Sequence, residues 1–113
     1  MEKRFAIPRS QIRDLVSAPG GCFITDRVTI DGRPIGYMYR EEADHSADSG
    51  WRFFAGDETP EYVDDATNMA IYAVNTAANY DPDIIPFLDT PAPCAFEKVG
   101  RTYVRVVEPP DAA

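Results

Sequence analysis

Apolar and polar positions alternate in the first half of the chain and predict a β-hairpin. Cys22–Ile30 is rich in β-branched side chains, and Ile35–Arg40 alternates so that Tyr37 and Tyr39 share one face of a strand. Between them, Asp31-Gly32 is the kind of residue pair that favours the positive φ angles of a tight turn. We therefore expect the two segments to pair as neighbouring antiparallel strands.

Four further segments predict the rest of a sheet. Trp51–Phe54 follows a polar loop of small residues and reads as a strand. Met69–Val74 fits strand alternation, although its apolar spacing also fits a helix, and we assign it as a strand. Ala95–Lys98 and Thr102–Val107 are expected to form a closing hairpin across Gly100.

Proline and capping residues predict the helices. Pro8–Val16 has a proline in its first turn and apolar residues at helical spacing. Thr59 as the N-cap and Pro60 at the first helical position begin a short helix that reaches about residue 66. Asp81 is placed to cap the turn that Pro82 begins. The predicted fold class is therefore α+β: a mostly antiparallel sheet of five or six short strands with two or three short helices packed outside.

Length and composition favour one ordinary globular domain. The chain has 113 residues, 44% of them hydrophobic and 27% charged, so we expect a single domain over 1–113 with a frayed tail at 109–113. No apolar run approaches the roughly 18 residues of a transmembrane helix, and residues 1–5 lack the apolar stretch of a signal peptide. We expect a cytoplasmic protein in which Cys22 and Cys94 stay reduced.

Charge is distributed very unevenly. The formal net charge is −8, which excludes a generic binder of nucleic acid because such proteins need a basic surface. Residues 41–97 hold thirteen carboxylates and a single cation, Arg52, whereas residues 1–40 carry a net charge of +3. This acidic stretch is either a solvated rim that keeps the protein soluble or a docking surface for a basic partner.

Aromatic residues beside the acidic stretch suggest where a partner could bind. Such side chains most often pack in a core, but Trp51–Phe54 carries aromatics on both faces of one strand, and a small domain cannot easily bury both. We therefore expect some of them to be exposed as anchors ringed by acids. The candidate partner-binding residues are Trp51, Tyr37, Tyr39, Glu41, Glu42, Asp44, Asp48, Asp57 and Glu58.

Few residues suggest catalysis. The one histidine, His45, lies in a predicted loop, and the two cysteines are 72 positions apart, so no zinc motif can be assembled from spacing. We expect no catalytic residue, metal or cofactor, and hence no enzyme. The alternative is a small metal-dependent hydrolase or a ligand-sensing domain that uses acidic residues, since Mg²⁺ and Ca²⁺ take oxygen ligands. The acids available for it are Glu41, Glu42, Asp44 and Asp48, or Asp81 and Asp83.

Several stretches resemble a known family. Cys22–Val28, Ile35–Glu42, Asp48–Glu58 and Asn79–Pro86, with shorter matches at 71–72, 75–76 and 95–97, resemble the Imm33-like immunity-protein domains of bacterial polymorphic toxin systems, first catalogued as a domain of unknown function. The resemblance covers about residues 20–98. It implies a non-enzymatic α+β protein that neutralises a toxin, and it carries over no catalytic residue.

The resemblance and the charge pattern together predict the partner. An acidic surface with aromatic anchors suits a cognate protein toxin that is basic, such as a nuclease domain. We expect no nucleic-acid or membrane partner, and a protein that is a monomer or a weak homodimer.

Overall fold

Six strands form one mixed sheet in the computed structural model, which describes residues 3–43 and 45–107. The spatial order is β4-β1-β3-β2-β5-β6, and every neighbouring pair is antiparallel except β1 and β3, which run parallel. The strands are β1 (Gly21–Thr25), β2 (Tyr37–Arg40), β3 (Asp48–Phe54), β4 (Met69–Ala73), β5 (Cys94–Val99) and β6 (Thr102–Arg105). The helices are α1 (Asp26–Thr29), α2 (Pro60–Asp64) and α3 (Val74–Tyr80), with 3-10 turns at Arg9–Gln11, Ala66–Asn68 and Pro82–Phe87. The predicted α+β class is confirmed.

The predicted hairpin between residues 22–30 and 35–40 is wrong. The first strand ends at Thr25, where the chain turns into α1, and β3 lies between β1 and β2 in the sheet. Gly32 does adopt a positive φ of 75°, but its amide donates to the Val28 carbonyl and so ends α1 rather than joining two strands. A turn signal of this kind serves a helix end as well as a hairpin.

The helix predicted at Pro8–Val16 is also wrong beyond a single 3-10 turn. Further along, this N-terminal segment is held by side-chain amides of α3, which replace the hydrogen bonds of a helix. Asn75 Oδ1 accepts from the amides of Leu15 (2.8 Å) and Val16 (3.0 Å), and Asn79 Oδ1 accepts from the amide of Arg13 (2.9 Å). Sequence reasoning did not identify α3, the helix that supplies these amides.

The other elements agree well with expectation. The strand predicted at residues 69–74 is confirmed, as is the closing hairpin of β5 and β6. Thr59 accepts from the amide of Tyr62 at the start of α2, and Asp81 accepts from the amide of Asp83, so both predicted caps are confirmed. Asp44 and the predicted tail at 109–113 lie outside the described residues. Among the described helices, none has the length and apolarity needed to cross a bilayer.

The hydrophobic core lies on one side of the sheet, which we call the inner face. It is covered by α3 and the 82–87 turn, and it contains Met38, Trp51 and Phe53. Only 1% of Trp51 is exposed, and its indole N–H donates to the Leu88 carbonyl at 3.3 Å. The expectation that Trp51 is an exposed anchor is therefore wrong: strand alternation puts it on the covered face.

Candidate protein-binding face

The opposite side of the sheet, the outer face, presents a cluster of three aromatic rings. Tyr37 and Tyr39 of β2 lie beside Phe54 of β3, and all three are partly buried. The ring centroids are 5.7 Å apart for Tyr39 and Phe54, 5.8 Å for Tyr37 and Phe54, and 6.1 Å for the two tyrosines. These distances are typical of favourable aromatic pairs. We call the three residues the aromatic triad.

Arg52 lies in the middle of the outer face and is neutralised by two of the predicted site acids. Its Nε donates to Glu41 at 2.8 Å, and its two terminal nitrogens donate to Asp48 at 2.8 and 2.9 Å. The guanidinium carbon lies 5.0 Å from the ring centroid of Phe23, and the side chain is 10% exposed. The only cation of residues 41–97 is thus stacked on a ring and bound by carboxylates.

This contact shifts the pKa values of both partners. Hydrogen bonds from Arg52 lower the pKa of Asp48 to about 2 and outweigh the effect of burial, which acts in the opposite direction. The pKa of Arg52 rises further above its ordinary value, mainly through its hydrogen bonds to Asp48. Both groups are therefore charged across the physiological pH range, and Asp48 is committed to a contact within the protein.

Two other predicted site acids also have partners within the chain. Glu58 Oε2 accepts from the Thr25 hydroxyl (2.6 Å) and the Ala55 amide (2.8 Å), and its Oε1 accepts from the Gly56 amide (2.9 Å). Glu58 thereby fixes the turn that follows β3. Asp57 forms ion pairs with Arg27 and Arg33, although half of its side chain remains exposed.

Glu42 differs from these acids. It is exposed and makes no hydrogen bond or ion pair with any residue that the structure describes. Five of the nine predicted residues lie around the outer face: the two tyrosines and the acids Glu41, Asp48 and Glu58. Trp51 lies on the other side of the sheet.

A groove separates the aromatic triad from α2. Its volume is about 310 Å³, at the lower end of the range of about 300–1,000 Å³ for small-ligand sites. It is lined by Tyr37, Tyr39, Phe54, Gly56, Glu58, Pro60, Val63 and Asp64. Sequence reasoning missed Val63 and Asp64 because the cap at Thr59 predicts that α2 exists but not where it packs.

A second polar centre lies at the edge of the core, around Asp81. This residue is 5% exposed and accepts from the Ile35 amide (3.0 Å), the Tyr103 hydroxyl (3.2 Å) and Lys98 Nζ (2.5 Å). Lys98 also lies 3.2 Å from Asp83. The pair Asp81 and Asp83, considered above as cation ligands, is thus occupied by the protein's own ammonium group.

The same centre shifts two further pKa values. Burial, and next the nearby charge of Asp81, raise the pKa of Tyr103 well above its ordinary value. Burial alone would lower the pKa of Lys98, but the hydrogen bond and charge of Asp81 outweigh it, and the net shift is upward. Tyr103 therefore stays protonated and Lys98 stays charged at neutral pH.

Three observations on the described residues bear on the enzyme and ligand-sensor alternatives. Within 3–43 and 45–107, no three His, Cys, Asp or Glu side chains are grouped so that they could hold a metal ion. Both cysteines are buried thiols that form no disulfide with any residue the structure describes, and burial raises the pKa of Cys22 to about 12, so that this thiol is a poor nucleophile. A mostly apolar cavity near Tyr72 and Tyr80 measures only about 210 Å³.

Comparison with known proteins gives a match to a family model that covers nearly the whole sheet. No curated protein and no solved structure gives a significant match to the chain. A family model, that of the Immunity protein Imm33 domain, matches residues 22–107 and so spans all six strands apart from the first residue of β1. The family that the sequence resembles is confirmed, and the chain belongs to the Imm33 immunity protein domain family.

Proposed function

We propose that this protein is a non-enzymatic immunity protein that binds a bacterial toxin and neutralises it by covering part of its surface. The observation that supports this most strongly is the family match over residues 22–107. Neutralisation by binding needs a complementary surface but no reactive group. The buried thiol of Cys22 and the ion-paired state of Asp48 and Asp81 agree with that requirement.

The outer face is the surface that we propose for the toxin. Tyrosine is enriched among the residues that dominate binding energy at interfaces, and the triad contains two tyrosines that are only partly buried. Glu41 retains about half of its side-chain surface, and Asp57, which lines a surface depression together with Tyr37, is also half exposed. Glu42 directly follows Glu41 and is exposed. The face thus combines aromatic anchors with acidic groups at its rim.

We propose a toxin whose binding surface is basic, as in a nuclease domain, and a complex of one copy of each protein. The net charge of −8, concentrated in residues 41–97, would steer a basic partner toward this face and raise the association rate more than the final affinity. The encounter is assigned to the bacterial cytoplasm, a reducing compartment in which Cys22 and Cys94 remain thiols.

The test is binding to the toxin domain encoded beside this chain's gene. Calorimetry should show one-to-one binding that weakens as salt is added, and co-expression should restore growth to cells that produce the toxin. Tyr39→Ala and Glu42→Lys should each weaken binding. The matched control is Asp14→Lys, which makes the same charge change on the exposed N-terminal segment bound to α3.

Two results would contradict the proposal. If the toxin domain is not bound and growth is not restored, the proposed immunity function is wrong. Full binding by Tyr39→Ala and Glu42→Lys, with a loss for Asp14→Lys, would keep the function and move the interface to the helical side of the sheet.

A further inference from the structure

We propose that the groove between the aromatic triad and α2 is a specificity pocket that receives an arginine side chain of the partner. This inference rests on the proposed function and adds to it the chemical group that the face recognises. It assigns a binding role to Asp64 of α2, a residue for which the sequence alone indicates no function.

The protein already holds two of its own guanidinium groups with the same chemistry. Arg52 lies over the ring of Phe23 at 5.0 Å while Glu41 and Asp48 accept its hydrogen bonds. Near α2, the guanidinium of Arg27 lies 4.8 Å from the ring centroid of Tyr62 and forms an ion pair with Asp57. In both cases an aromatic face and a carboxylate hold the cation together.

The groove contains the same two components, aromatic rings and acidic residues. The three rings of the triad line it together with Glu58 and Asp64, and none of the described lining residues is basic. Aromatic faces attract cations by their quadrupole, and the attraction strengthens as water is excluded. A guanidinium in the groove would meet both elements that hold Arg52.

Glu58 is preorganised for this role. The Ala55 and Gly56 amides and the Thr25 hydroxyl hold its carboxylate in one position. A carboxylate offers about four lone-pair sites, so three such contacts leave it capacity to accept a further hydrogen bond. Asp64 is exposed and makes no ion pair with any residue that the structure describes, so a partner's cation would meet no competitor there.

Arginine fits the groove better than lysine for two physical reasons. The guanidinium is planar and stacks on rings, whereas the ammonium of lysine is a compact point charge. It is also more weakly hydrated, so that less free energy is lost when it leaves water for a narrow groove. The cation that packs over an aromatic ring on this face, Arg52 over Phe23, is likewise an arginine.

The direct test needs no toxin. The wild-type protein is titrated with N-acetyl-arginine N-methylamide while the ring resonances of Tyr37, Tyr39 and Phe54 are followed by NMR. We expect saturable shifts confined to these rings, with a dissociation constant in the millimolar range. The lysine derivative should bind more weakly, and the neutral citrulline derivative should not shift the rings. No saturable shift, or equal shifts from the citrulline derivative, would overturn the proposal.

Two variants test the contacts that the groove itself would make with the arginine derivative. Asp64→Asn and Phe54→Leu should each weaken binding of the arginine derivative by about 2- to 5-fold, the size expected for an exposed ion pair or cation–π contact. Glu61→Gln is the control, because it removes one carboxylate from the same helix outside the groove lining. Equal losses in Asp64→Asn and Glu61→Gln would reveal a general field effect and contradict a pocket.

Failure of this inference can be distinguished from failure of the proposed function. If the toxin binds and is neutralised but Asp64→Asn and Phe54→Leu bind it as the wild type does, the pocket is wrong and the immunity function stands. If no toxin is bound, the titration with the arginine derivative still decides whether the groove recognises a guanidinium.

Discussion

Strand β3 supplies side chains to both faces of the sheet, and the two faces are built on different principles. Trp51 and Phe53 point to the inner face, are 1% exposed each, and pack under α3 and the 82–87 turn. Arg52 and Phe54 point to the outer face, where Phe54 is only partly buried and Arg52 is held by ion pairs. Alternation along one strand therefore separates a core from a surface that is still rich in aromatic rings.

The comparison shows what an aromatic residue does in each setting. On the inner face a ring is enclosed, so its removal leaves a cavity and costs stability. On the outer face a ring keeps part of its surface in water, so the same removal should cost less stability, and under the proposed function it should instead weaken binding to the toxin. If the two faces differ in this way, substitutions on the inner face should cost mainly stability, and substitutions on the outer face should cost little stability.

The largest effect is expected on the inner face. Trp51→Ala should lower the free energy of unfolding by about 3–5 kcal/mol, because a fully buried indole leaves a cavity and the Leu88 carbonyl loses its donor. Phe54→Ala, on the same strand, should cost clearly less. Urea denaturation of both variants measures the difference, and equal losses would show that the outer face is as enclosed as the core.

The next largest effect is expected at Asp81. Asp81→Ala should cost about 3 kcal/mol, since Lys98 and the amide of Ile35 would lose a buried partner. The control is Asp83→Ala: the Asp83 side chain is about one-third exposed and forms an ion pair with Lys98, so the loss of stability should be small. Thermal denaturation of the two variants side by side would reveal a similar loss in both if Asp81 were not the centre of this network.

The sheet shows which parts of the fold the sequence could predict. Local signals were sufficient for the cap at Thr59, the cap at Asp81 and the hairpin of β5 and β6. The predicted hairpin at Asp31-Gly32 failed because its local turn signal is compatible with two structures. Which of them forms depends on β3, whose residues pair with β1 residues that lie 27 to 29 positions earlier in the chain. Tertiary pairing of this kind overrides turn propensity.

The third effect concerns acid stability on the outer face. The folded-state pKa of Asp48, about 2, lies below its ordinary value of 3.8, so its ion pair with Arg52 stabilises the fold above about pH 4. That stability, on the order of 1–2 kcal/mol after solvent screening, is lost as the pH falls through about 2.

Urea denaturation from neutral pH down to acid pH checks this prediction. The difference in stability between the wild type and Asp48→Asn should be largest at neutral pH and should shrink on acidification. Glu42→Gln, which changes an exposed acid, should follow the wild type at every pH. A constant difference for Asp48→Asn would mean that the ion pair does not control acid stability.

The sequence predicted which residues belong to the candidate site better than it predicted where they lie. Tyr37, Tyr39 and the neighbouring acids were identified from their position beside an acidic stretch, and the structure brings most of them to one face. Trp51 was misplaced because its sequence neighbours give no sign of which face α3 covers. The contribution of Asp64 to the groove depends on where α2 packs, which is a tertiary property.

The smallest effect is expected when the same substitution is made at one isoleucine on each face. Ile24 of β1 and Ile71 of β4 lie on neighbouring paired strands, yet Ile24 is fully buried on the inner face and Ile71 is 69% exposed on the outer face. Isoleucine to valine removes one methylene from each. Ile24→Val should cost about 1 kcal/mol, and Ile71→Val should stay within about 0.5 kcal/mol of the wild type.

Chemical denaturation at several protein concentrations completes this test. If a second copy covered the outer face, the free energy of unfolding would rise with protein concentration by mass action. For a monomer, the effect of Ile71→Val stays near zero at every concentration. A loss at Ile71 that grows with concentration would mean that copies of the chain cover this face, and a toxin would then have to displace one copy before it could reach the aromatic triad.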